Sequence, residues 1–163
     1  MEKTGLSKIR HVKFTCPAKT MAIMVDVITY IFIALFIYTA TDKLMNLINF
    51  QEFMVKMVLM NPIGNYVAIL IPVSEIFISL LLLLPKTKHI GLYTSCGLMV
   101  VFTAYLVYVR IAGEVLPCHC GGVISSLTWT EHIYFNIGLI VLALTGIKLK
   151  TRFNILKQKQ LNL

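Results

Sequence analysis

Four long apolar stretches, at roughly 21–41, 63–84, 90–112 and 131–149, constrain this chain more than any other feature of it. Each is close to the ~20 residues that cross a ~30 Å hydrocarbon core as a helix. Of the 163 residues, 58% are hydrophobic and 13% charged, and the mean hydropathy is +0.82. A soluble domain of this size has too little interior to hide that much apolar surface. Barrel strands are excluded by the length of the stretches and their lack of alternation. The expected fold is all-α, a polytopic membrane four-helix bundle over 21–150, with a lead-in at 1–20 and a basic polar tail at 151–163.

The basic residues predict the orientation. Lys3, Lys8, Arg10, Lys13 and Lys19 precede the first stretch, Lys86 and Lys88 lie in the turn after the second, and Lys148, Lys150, Arg152, Lys157 and Lys159 end the chain. With four alternating helices all three groups share one side, against Lys43, Lys56 and Arg110 on the other. The positive-inside rule then puts both termini in the cytoplasm of a plasma-membrane protein, with 42–62 and 113–130 facing outward. The net charge of +8 reads as membrane anchoring to lipid head groups, and no folded basic domain exists to bind nucleic acid. The first stretch is longer than the ~7–15-residue core of a cleaved leader and is expected to be retained.

Residues 42–60 are too polar to span. Leu44, Leu47, Ile48 and Phe50 to Phe53 suggest an additional amphipathic helix on, or dipping into, the outer surface, ended by Asn61-Pro62. It serves either as a lid on the bundle or as a docking surface. In the second span Pro72 should bend the helix, and Glu75 should sit near the bilayer midplane, where an unpaired carboxylate costs several kcal/mol. Glu75 is therefore a neutral acid tying helices together, a proton donor or acceptor, or a partner for a quinone head group. Asp26 is shallower and has Lys19 as its nearest prospective partner. Tyr93, Tyr105 and Tyr108 read as interfacial belt residues, and Cys16 and Cys96 as plain small residues.

The chemistry-bearing run is Leu116-Pro117-Cys118-His119-Cys120-Gly121-Gly122, in the outward interruption before the fourth span. Two cysteines two apart can exchange electrons with another thiol pair, staple the loop, or hold a metal. A disulfide closing so small a ring is strained and easily reduced, and it contributes little chain entropy. A protonated His119, or a nearby Arg110, would favour thiolate, although Arg110 is equally well an anchor to phosphate head groups. Metal binding by Cys118, His119, Cys120 and His132 is the rival, but adjacent side chains converge poorly on one ion. Thr128-Trp129-Thr130-Glu131 fits a capping box opening the last helix. His132 and Asn136 then lie one turn apart on one face, His132 being either interfacial or a proton-transfer group for the cysteine loop.

Asp42-Lys43-Leu44 with Phe53, Pro72 and Glu75, Cys118-x-Cys120 with Gly121-Gly122, Leu127-Thr128-Trp129 and Asn136 occur in an order that resembles the MauE branch of the DoxX-like, redox-associated membrane proteins. The resemblance covers residues ~22–149. It implies a thiol–disulfide role supporting exported or periplasmic proteins, with Cys118 and Cys120 as the family's pair. The family's aromatic residue after the second cysteine is replaced here by Gly121. The reading that results is a membrane thiol–disulfide oxidoreductase or electron-relay subunit, with a membrane quinone as candidate electron carrier. Its site residues are Cys118, Cys120, His119, Glu75, Arg110 and His132. The alternative is a non-enzymatic assembly factor or transporter subunit that docks a partner within a membrane complex.

Overall fold

The computed structural model describes residues 18–56, 63–111 and 128–161. Among them are five helices and no strand: α1 Ala18–Met45, α2 Leu47–Lys56, α3 Gly64–Leu83, α4 Lys88–Ile111 and α5 Trp129–Leu161. All but α2 are long and apolar enough to cross a membrane. Around the bundle α1 packs on α3, α3 on α4, α4 on α5 and α5 back on α1, while α2 packs mainly on α3.

The spans are apolar on all sides because lipid faces their outer surfaces. Ile23, Leu70, Phe77, Val101 and Val141 are all more than half exposed, as expected where hydrocarbon replaces water outside the bundle. The interior is a column of Phe32, Phe36, Leu82, Leu92 and Ala143. Close contacts use small residues. At Gly91 a Cβ would come within 2.8 Å of Leu82 Cδ2 and 3.0 Å of its backbone nitrogen, so only glycine lets α4 approach α3 there. Hydroxyls within the spans satisfy themselves: Thr29, Ser79, Ser95 and Thr103 each donate to the carbonyl four residues back, at 2.7–2.9 Å. They therefore cost the apolar bundle little.

Several boundaries differ from expectation. α1 continues past the apolar stretch to Met45, so Lys43 lies inside a helix and is buried rather than flanking the membrane. A single residue, Asn46, separates α1 from α2, with Asn46 N bonded to Asp42 O and Phe50 N to Asn46 O, both at 3.0 Å. The far end of α2 is held against α3 at Gly64, where a Cβ would lie 2.8 Å from Met54 C and Val55 N. α2 is amphipathic as expected, but its buried side is Phe50, Phe53 and Met54, and Ile48 is 73% exposed. α3 carries Pro72 within its length. The residues read as a polar tail continue α5 as far as Leu161. Asp26 pairs with Lys88 at 2.7 Å rather than with Lys19, tying α1 to the start of α4.

Candidate functional site

On α1, Phe32, Phe36, Thr39 and Lys43 recur at spacings of four, three and four, forming one inward stripe. On α5, His132, Asn136, Leu139 and Ala143 repeat the same spacing. Glu75 is the twelfth residue of α3, about 16 Å along the axis from Gly64 at 1.5 Å per residue. Phe36, Thr39 and Lys43 of α1, His132, Asn136 and Leu139 of α5 and Glu75, with Phe102 and Tyr105 of α4 and Phe50, Phe53 and Met54 of α2, line one cavity of about 80 Å3.

At its heart is an ion pair. Lys43 Nζ lies 2.6 Å from Glu75 Oε1, and the two side chains are 6% and 2% exposed. Two aromatic rings flank the ammonium, Phe102 at 5.5 Å and Phe50 at 6.0 Å from their centroids. Such faces attract a cation through their quadrupole and partly replace the water it has lost. Glu75 Oε2 has no hydrogen-bond donor among the described residues. Thr39 brings its hydroxyl alongside the carboxylate, with the Leu35 and Phe36 carbonyls as further acceptors at 3.0 and 3.3 Å. An unsatisfied buried acceptor costs ~1–3 kcal/mol, so Glu75 is held in place by helix packing and the lysine rather than by a full set of bonds.

The pair also fixes the height of α2. Lys43 is two residues from the end of α1 and must reach Glu75 well below Gly64, so α1 ends beneath the level where α3 begins. The last turn of α2 lies against Gly64, and Phe50, Phe53 and Met54 are buried.

His132 and Asn136 are 5% and 7% exposed and face the same cavity. Asn136 has no hydrogen-bond partner among the described residues. Tyr105, read as an interfacial residue, lines the cavity instead, whereas Tyr93 and Tyr108 are exposed. The helix carrying His132 opens on the expected capping box: Thr128 N and Oγ1 each donate to Glu131 Oε2 at 2.8 Å, and Glu131 N donates to Thr128 Oγ1 at 3.4 Å.

Of the residues singled out from sequence, Glu75 and His132 come together here. Arg110 is exposed near the end of α4 and does not line the cavity. Cys118, His119 and Cys120 lie outside the described residues, in the connection between Ile111 at the end of α4 and Thr128 before α5. Cys96 packs partly buried against the core. Sequence reasoning missed Lys43, which it counted as a flanking charge, and did not use Thr39. The signal was present: the stripe through Phe32, Phe36 and Thr39 predicts position 43 as its next member.

The fold and site define a multi-pass membrane protein, a four-helix bundle whose interior encloses a polar cavity built around a buried lysine–glutamate pair. A family model described as Methylamine utilisation protein MauE matches residues 21–149, which takes in the second and third spans, most of the first and fourth and every polar residue of the cavity. The chain belongs to the MauE family. No curated protein and no solved structure matches it.

Proposed function

We propose that this protein is a thiol–disulfide redox subunit of the plasma membrane, with both termini cytoplasmic, acting on exported proteins and exchanging electrons with membrane quinone. A thiolate of Cys118 or Cys120 attacks a partner disulfide, forms a mixed disulfide and releases one partner thiolate. The second cysteine then closes the Cys118–Cys120 bond and frees the partner as a dithiol. Each cycle moves two electrons and two protons. A hydroquinone that becomes quinone restores the Cys118 and Cys120 thiols, and the reverse sequence balances equally. Relative potentials set the direction. Glu75 is the proton-handling group inside the bilayer.

The observation that supports this reading is the convergence of Glu75, Lys43, His132 and Asn136 on one cavity. Both helices that flank the cysteine-bearing connection, α4 and α5, contribute lining residues to this cavity. A purely structural bundle gains nothing from a buried ion pair with an unsatisfied oxygen, since apolar residues of similar volume hold such a site as well or better.

The test is to trap Cys118 and Cys120 in intact cells with a membrane-impermeant thiol reagent, before and after mild reduction. The reading expects a population that shifts with reductant, and loss of thiol exchange by the purified protein when both cysteines are serine. Exchange that persists in Cys118→Ser/Cys120→Ser at the wild-type rate would sink it.

A further inference from the structure

The unspent hydrogen-bonding groups of the cavity specify what it can hold. Lys43 spends one of its three N–H bonds on Glu75, and the Asn136 amide is unpaired among the described residues. Both can donate to an oxygen acceptor placed between α1 and α5. The surrounding walls are aromatic and aliphatic, with the Phe102 and Phe50 rings beside the ammonium. A small anion would have to shed its hydration to enter and would then meet Glu75. A neutral, flat ring bearing carbonyl oxygens, already dissolved in the bilayer, meets neither cost.

Size adds a second requirement. The cavity of about 80 Å3 is smaller than the ~150 Å3 of an engineered cavity that holds benzene. One wall must therefore move to admit a ring. Four of the five helices surrounding the cavity are spans locked in a closed ring of contacts. The remaining wall is α2, which follows Asn46 directly and packs mainly on α3.

We propose that this cavity is the binding site for the head-group ring of a lipid-soluble quinone. Lys43 and Asn136 donate to its oxygens, and α2 swings outward about Asn46 to let it in. Glu75 is then a positioning residue for the ring, because its Oε1 aims the ammonium. The proposal rests on the redox reading for its purpose, but ring binding itself does not require the cysteines to be active.

The experiment measures binding of a decyl-tailed, fully substituted benzoquinone, which cannot add to thiols, to the full-length protein in nanodiscs. Empty nanodiscs report partition into lipid. The expected result is saturable binding of one quinone per chain, weakened at least tenfold in Asn136→Leu and in the paired Lys43→Met/Glu75→Leu variant, with melting temperature reporting that both are folded. Cys118→Ser/Cys120→Ser should bind as wild type does, so loss of exchange there with binding intact separates this proposal from the redox reading. Gly64→Ala, which drives a methyl into the backbone of α2, should speed ring entry. Binding that merely tracks lipid content, or that folded Asn136→Leu and Lys43→Met/Glu75→Leu retain unchanged, overturns the proposal.

Discussion

Replacing Lys43 by methionine should be among the most damaging single changes to this protein, and replacing Glu75 by leucine in the same chain should largely repair it. At 2.6 Å two unit charges attract by about 6 kcal/mol with an effective dielectric of 20, a gross figure offset by the cost of desolvating both. Lys43→Met removes the attraction while leaving a carboxylate 2% exposed whose second oxygen already lacks a donor among the described residues. The expected loss is ~3–5 kcal/mol, the usual cost of stranding one member of a buried pair. By the scale for soluble domains of this size, that corresponds to a fall in melting temperature of roughly 10–15 °C. Lys43→Met/Glu75→Leu removes both charges and fills the space with carbon, so it should melt within a few degrees of wild type. The assay is thermal unfolding of the purified protein in detergent for wild type, both single variants and the double, read as a mutant cycle with a coupling of at least ~3 kcal/mol. If Lys43→Met melts with wild type and the cycle shows no coupling, the pair is hydrated and the argument from burial fails.

Other consequences follow from individual contacts. Gly91→Ala places a methyl 2.8 Å from Leu82 Cδ2 and 3.0 Å from its backbone, and thermal melting should show a loss of ~1–3 kcal/mol from the overpacked α3–α4 contact. Thr128→Ala removes the hydroxyl that caps α5 and should cost ~0.5–2 kcal/mol, visible as faster amide exchange in the first turn of α5. Asp26→Asn breaks a pair whose carboxylate is 51% exposed, so its effect on melting should stay below ~1 kcal/mol, far smaller than that of Lys43→Met. If Asp26→Asn proves as damaging as Lys43→Met, depth in the bundle is not what makes a charge pair matter here.

Much of the architecture was legible in the residue order. The four spans, the amphipathic segment after the first and the capping box of α5 each depend on a local pattern of a few to twenty residues. His132 and Asn136 were readable as one face because helical spacing is itself local. Helix ends were less legible: α1 runs on to Met45 and α5 to Leu161, because hydropathy marks where a helix is apolar rather than where its hydrogen bonding stops. Lys43 shows the consequence, since a lysine just past an apolar stretch has the same one-dimensional signature whether it reaches water or turns inward.

The sequence by itself determined that this chain crosses a membrane four times and carries a carboxylate at depth, because transfer free energy and helical periodicity are properties of consecutive residues. Only the tertiary structure decided that Lys43 meets Glu75, that Thr39 stands beside that carboxylate, and that α2 closes a cavity shared with His132 and Asn136. Those contacts join residues tens to nearly a hundred positions apart. They depend on the axial register of α1 against α3, on where α1 ends and on the approach that Gly64 permits, all of which are set by packing between helices.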